Sequence, residues 1–174
     1  SEESLPGFRA DNTEYSRVYG SEIEFLFTRS AGWFEQTISG GYLYTFPVEF
    51  NQSTGQNKDV FLKYRRKHSA KLSLTGKYNK YEPGITFYYR SKTLNIDDVF
   101  LNPGTREDIL PGFFDYWLDN NKGFFLADVH ISRQLTPVWK LSFAVKNITN
   151  TEYMGRPGDI RPHRNFSIRL SAMF

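Results

Sequence analysis

Apolar and polar residues alternate with a period of two along most of the chain. In 138–147, Trp139, Leu141, Phe143 and Val145 alternate with Lys140, Ser142, Ala144 and Lys146. In 69–78, Ala70, Leu72, Leu74 and Tyr78 alternate with Lys71, Ser73, Thr75 and Lys77. Ile23, Phe25 and Phe27 alternate with Glu22 and Glu24, with Leu26 as a misfit. Phe125, Ala127, Val129 and Ile131 alternate with Asp128, His130 and Ser132. The final stretch puts Phe166, Ile168, Leu170, Ala172 and Phe174 on one face and Ser167, Arg169 and Ser171 on the other, with Met173 the exception. A period of two is the signature of a strand, because successive side chains point to opposite sides. Helical periodicity is scarce. The pattern predicts an all-β, antiparallel chain with strands at about 15–29, 33–46, 67–79, 84–96, 122–134, 138–148 and 164–174, of which 33–46 and 84–96 alternate less cleanly.

The connections separate two readings of that pattern. They run short (30–32), long (47–66), short (80–83), long (97–121), short (135–137) and long (149–163). A soluble sandwich alternates apolar and polar residues too, but it has no reason to sort its loops by parity. An up-and-down transmembrane barrel does: its short turns lie on the periplasmic side and its long loops outside. Aromatic residues gather towards both strand ends, as two membrane interfaces favour. Trp33, Phe34, Tyr78, Tyr81, Trp139 and Phe174 lie near short turns or the chain end. Tyr19, Tyr44, Phe46, Phe124 and Phe166 lie near the long loops. The expectation is an antiparallel transmembrane β-barrel with an apolar face towards lipid and a polar face towards a wet lumen. Strands of ~10 residues suffice to cross the hydrocarbon layer when tilted. Seven strands are odd and few, so the chain 1–174 is expected to be the C-terminal portion of a larger barrel. Phe166, Ile168, Leu170 and Phe174 would mark its terminal strand, and Trp33, Tyr78 and Trp139 its interface rings.

Composition agrees with sparing use of apolar residues. Hydrophobic residues are 39%, mean hydropathy is -0.54 and aromatics reach 17%. In a wet lumen Glu22, Glu24, Lys71, Lys140, Lys146 and Arg169 sit mid-strand at little cost, whereas a dry core would penalise them. The net charge of +3 is close to balance, and the basic run Lys63–His68 is short. Neither supports a nucleic-acid partner. There is no cysteine, which excludes disulfides and thiolate metal sites. No apolar run approaches the ~18 residues of a membrane helix, and residues 1–10 lack the features of a signal peptide.

The segment "FAVKNITNTEYMGRPGDIRPHRNFSIRLSAMF", residues 143–174, resembles the C-terminal end of TonB-dependent outer-membrane receptors. The features that carry the resemblance are Asn147, Ile148, Asn150, Glu152, Tyr153, Pro157, Gly158, Arg164 and Phe174. "RVYGSEIEF", with Gly20 and Glu22, and "LADVHISRQL" resemble two further strands of that family, and the loop looks closest to Bacteroidota-type receptors. Ile148 stands where Leu is commoner, and His163 where a second Pro is expected. The resemblance implies a twenty-two-stranded barrel with an N-terminal plug, the plug and the earlier strands falling outside this chain. It further implies location in the outer membrane of a Gram-negative bacterium and contact with outer-membrane lipid. Uptake of an extracellular ligand (siderophore, haem, cobalamin or oligosaccharide) would be driven by the TonB energy-transducing complex, reached through the missing N-terminal part. A second reading is a structural or scaffold barrel subunit with an outer-membrane lipoprotein or other complex partner. A third is a soluble all-β binding protein.

Candidate chemistry is thin. His68, His130 and His163 fall on separate elements, so no metal site is expected, and no cofactor is implied. HExxH, P-loop and G-x-S-x-G patterns are absent from the sequence, so the chain is not read as an enzyme. Loop 97–121 holds Phe113, Phe114, Tyr116 and Trp117, aromatic candidates for stacking on a ligand or for folding the loop. Loop 149–163 holds Arg156 and Arg161, candidates for an anionic ligand, for lipopolysaccharide phosphates or for shaping the turn.

Overall fold

In the computed structural model the described residues are 15–173. Phe174 lies outside them, so its expected role as a terminal anchor is not tested. Eight strands form: β1 (Ser16–Ala31), β2 (Phe34–Asn51), β3 (Gln56–Phe61), β4 (His68–Tyr78), β5 (Tyr81–Arg90), β6 (Phe124–Gln134), β7 (Trp139–Lys146) and β8 (Asn165–Ala172). They make one antiparallel sheet in the order β1-β2-β4-β5-β6-β7-β8, with β3 paired to the outer end of β2. All seven expected strands are present, and β3 is an eighth inside the connection expected at 47–66.

Two strand ends and one connection differ most from expectation, each for a local reason. β2 runs on to Asn51 because β3 gives its end a second partner. β5 stops at Arg90, not at 96. Beyond it the backbone leaves the sheet to pair with the β3–β4 connection, Leu94 N–H donating to the Arg65 carbonyl at 2.8 Å. The connection expected at 97–121 is not plain loop: it holds α1 (Arg106–Ile109) and α2 (Phe113–Asn120). Phe113 and Trp117 are four residues apart there, and their ring centroids are 6.0 Å apart on one helix face.

The register fixes which residues share a face. Phe25 is opposite Gly40, Gly40 opposite Leu72, Leu72 opposite Phe87 and Phe87 opposite Ala127. Further along, Ile131 is opposite Phe143 and Phe143 opposite Ile168. The apolar positions of every strand therefore merge into one continuous apolar face. The same registers gather Glu22, Glu24, Ser39, Gly41, Lys71, Ser73, Thr86, Asp128, Ser142 and Arg169 on the opposite face. Hydroxyl pairs cross between strands there, Ser73 with Thr86 at 3.1 Å and Ser132 with Ser142 at 2.8 Å. On the apolar face the Phe25 ring lies flat across Gly40, where an added Cβ would meet it at 2.5 Å.

No second sheet covers either face among the described residues. Leu141, Phe143, Ile168 and Leu170, the residues a sandwich would bury, are 39–76% exposed. The chain presents 12792 Å² to solvent, where a compact monomer of 20.3 kDa presents about 8,800 Å². The sheet is open among the described residues, with β1 and β8 as its edges. No described helix is long and apolar enough to cross a membrane.

The aromatic residues near the short turns gather at one end of the sheet. Trp33 lies edge-on to Tyr78 at 4.8 Å, and Tyr78 is opposite Tyr81 on the apolar face. At the loop end Tyr19, Tyr44, Phe46 and Phe166 also stand on that face. Phe124, also at the loop end, falls on the polar side through its register with Arg90, and its ring packs on Tyr153 at 4.5 Å.

Candidate functional site: the loop cap and the polar-face cleft

An antiparallel meander returns every second connection to the same end, so all the long connections meet there. They build a cap with its own core. Ile96, Phe100 and Phe113 are buried, and Tyr64, Val99, Leu101, Ile109, Leu110, Trp117 and Met154 pack around them. Phe100 and Phe113 meet edge-on at 5.4 Å.

Polar side chains close the bases of the loops. The Asn121 carboxamide donates to the Thr93 carbonyl at 2.9 Å and accepts from the Thr93 N–H at 2.8 Å, as a strand partner would. Gly123 completes that closure with φ +84; a Cβ there would lie 2.7 Å from the Arg90 carbonyl oxygen. Asn147 organises the last loop. It is 4% exposed and left-handed, with φ 52. Its carboxamide donates to the Thr151 carbonyl at 2.8 Å and accepts from the Thr151 N–H at 3.0 Å, while its own N–H donates to Asp128 at 2.8 Å. The Asn150 carboxamide oxygen accepts from the Arg164 N–H at 3.0 Å. Asn147, Asn150 and Arg164, which carry the sequence resemblance, therefore build this loop.

Arg66 joins the connections to one another. Its guanidinium donates to the carbonyls of Ser91 and, at 3.3 Å, Met154, lies 5.0 Å from the Phe124 ring, and its backbone bridges to Thr93. Burial lowers its pKa from the usual arginine value. Beside it, the Tyr64 hydroxyl donates to Asp97, which also pairs with Lys63 at 3.0 Å. Burial works against the Asp97 charge, and the hydroxyl and ammonium outweigh it, leaving the carboxyl below its usual range. Burial first, and the adjacent carboxylate second, push the hydroxyls of Tyr64 and Tyr116 up to about 12.

The expected ligand-contact residues are brought into this cap, and most of them are occupied in holding it together. Phe113 is 6% exposed in the core. Trp117 packs against it, Phe114 lies under the Arg106 guanidinium at 3.9 Å, and Tyr116 donates to Glu152 at 2.5 Å. Arg161 pairs with Asp159 at 2.9 Å. Arg156 has only the Tyr64 ring, at 5.9 Å, and no described carboxylate partner. The cleft between the loops, lined by Arg66, Trp117, Asn121 and Tyr153 among others, holds about 40 Å³, room for about one water.

The larger opening lies on the sheet. A cleft of about 710 Å³ runs along β1, β2, β4 and β5, lined on the polar face by Glu22, Glu24, Gly41, Lys71, Tyr88 and Arg90. That volume is within the range of small-ligand sites, about 300–1,000 Å³. The Lys71 ammonium stands 5.8 Å from the Tyr88 ring. Sequence reasoning placed Glu22, Glu24 and Lys71 on a polar face but did not group them with Tyr88 and Arg90. The signal was Gly40-Gly41, two residues without side chains in the middle of a strand. Among the described residues no cluster of His, Asp and Glu is arranged to hold a metal.

No family model matches the chain, and no curated protein matches it. Among solved structures it is similar to the ferric-catecholate import receptor Fiu from E. coli K12 in its closed form, with TM-score 0.50 and 14% identity over 98% of this chain. The chain spans 29% of that receptor's length. At this identity the likeness speaks for the fold: an open run of antiparallel, up-and-down strands.

Two measurements probe the cap. Arg66→Gln should free the loops 91–123 and 149–163 together, raising their cleavage by protease under native conditions several-fold and lowering stability by about 1–3 kcal/mol. Loops cleaved no faster than in the parent would refute Arg66 as the common tie. A hydroxyl whose pKa is raised on folding contributes stability that is present below the unfolded value of ~10 and lost as pH rises towards about 12. The protease sensitivity of the parent cap should therefore climb between pH 10 and 12. Tyr64→Phe with Tyr116→Phe should be more sensitive at pH 8 and flatter above it.

Proposed function

We propose that this chain is the C-terminal part of an outer-membrane β-barrel of the TonB-dependent receptor kind, working in ligand uptake from outside the cell. The observation that carries the reading is the single-layer sheet with unlike faces: one continuous apolar face, one polar face, and every long connection at one end. Water is a poor environment for the first face, and hydrocarbon for the second. A barrel wall gives each its own solvent. The resemblance of residues 143–174 to the C-terminal end of such receptors and the fold likeness to a ferric-catecholate import receptor support the same reading.

On this reading the chain contributes the last strands of a barrel of about twenty-two, and the plug and TonB-contacting segment belong to the preceding part of the protein. The cap faces outside, and the polar-face cleft with Lys71, Tyr88 and Arg90 opens into the lumen. The polar-face cleft, with Lys71, Tyr88 and Arg90 beside Glu22 and Glu24, offers both signs of charge and an aromatic ring to a polar ligand. A scaffold subunit of an outer-membrane complex would use the same barrel without the uptake step.

Two tests separate these possibilities. In the full-length protein, Ile168→Arg places a charge on the lipid side, where it costs about 2–4 kcal/mol near mid-membrane, and should lower assembly into the outer membrane. Ser167→Arg, one residue away on the polar face, should assemble as the parent does. Equal behaviour of the two would count against the barrel wall. Growth of a deletion strain on ferric chelates, haem, cobalamin and glycans should fail on one source, and loss of TonB should reproduce the defect. Unimpaired growth on all sources would favour the scaffold.

A further inference from the structure

Two rows of registered residues cross the polar face just below the cap. Glu24 is opposite Gly41, Gly41 opposite Lys71 and Lys71 opposite Tyr88. Glu22 is opposite Leu43, Leu43 opposite Ser69 and Ser69 opposite Arg90. Both carboxylates therefore stand on β1 and both cations on β4 and β5, with β2 between them. Glu24 leans over β2: a Cβ added at Gly41 would lie 3.6 Å from the Glu24 Cγ. Lys71 leans the other way, its ammonium 5.8 Å from the Tyr88 ring. Arg90 lies close enough to the Arg66 guanidinium for the two charges to repel, so the cationic side continues up into the cap. Among the described residues Glu22, Glu24, Lys71 and Arg90 have no ion-pair partner. Reach is not the reason. Glu82 on β5 and Lys140 on β7 are also separated by one strand, and they pair directly across β6.

We propose that this cleft takes a zwitterionic ligand from outside the cell, its ammonium held by Glu22 and Glu24 and its carboxylate by Lys71 and Arg90. The proposal rests on the membrane reading above and names the ligand class of the cleft described there. Opposite charges that face each other without touching set up a field across the cleft, and a ligand charged at both ends aligns in it. A ligand of one sign is drawn to one wall and repelled by the other. The walls stand two to three strand spacings apart at the backbone, about 10–14 Å. A ligand as long as an extended tripeptide, about 10 Å, reaches both once the side chains fold over it. Each end then makes charge-assisted hydrogen bonds. Gly41, without a side chain, keeps the floor low beneath the middle of the ligand. The Tyr88 ring gives the Lys71 ammonium a resting place away from Glu24, so the two walls do not neutralise each other while the cleft is empty.

The test uses the full-length protein in non-ionic detergent, titrated calorimetrically with trialanine, its N-acetyl form and its C-terminal amide. Capping either end should weaken binding to the parent about tenfold. In Glu22→Gln with Glu24→Gln, N-acetylation should cost less than about twofold while amidation still costs about tenfold. In Lys71→Gln with Arg90→Gln the two caps should exchange effects. Glu82→Gln with Lys140→Gln removes a pair already satisfied, and should leave every affinity within about twofold of the parent. Heat-dependent electrophoretic mobility checks that each variant is folded; where one is not, the capped ligands still read both contacts in the parent. Equal affinity of the parent for capped and uncapped peptide, capping effects that persist unchanged in both cleft variants, or no binding to the folded parent would overturn the inference. Absence of the parent protein from the outer-membrane fraction would instead overturn the membrane reading.

Discussion

One constraint governs this molecule: a single sheet whose two faces need different surroundings. Antiparallel pairing satisfies the backbone within the plane of the sheet, so side chains alone decide what lies above and below it. Each registered row from Phe25 through Gly40, Leu72, Phe87 and Ala127 adds to one apolar surface. A one-residue slip in any strand would carry Glu24 or Lys71 onto that surface and Phe25 or Leu72 off it. The faces therefore enforce the register, and the register aligns the strand ends. The core usual in a soluble domain is missing from the sheet; the buried cluster of Ile96, Phe100 and Phe113 belongs to the loops.

The cap depends on that alignment. Because the strands go up and down in order, residues distant in sequence arrive at one end together. Arg66 can then reach the carbonyls of Ser91 and Met154 at once. The loops supply what the sheet cannot, a place to bury rings away from both faces, and Phe113 and Trp117 are used that way. This is also why aromatic residues in a long loop are weak evidence for a ligand. The same rings that would stack on a guest are needed to give the loop a shape, and the cap spends most of them on its own packing.

The strands were legible because alternation is a local property. Trp139, Leu141, Phe143 and Val145 announce β7 without reference to any neighbour, and the parity of loop lengths announces the meander. Whether the sheet would have a second layer was not local. It followed from polar residues such as Lys71 and Arg169 holding the alternate positions that a sandwich leaves to solvent, and from loop lengths a sandwich does not need. Elements that depend on partners were missed. β3 exists because the far end of β2 offers an edge, and β5 ends early because residues 91–96 find the β3–β4 connection. Phe124 was legible as a ring near the long loops but not as one on the polar side, because Tyr153, far along the chain, provides its packing. The polar-face cleft was hidden for the same reason, since Glu22, Lys71 and Arg90 come together only through three successive registers.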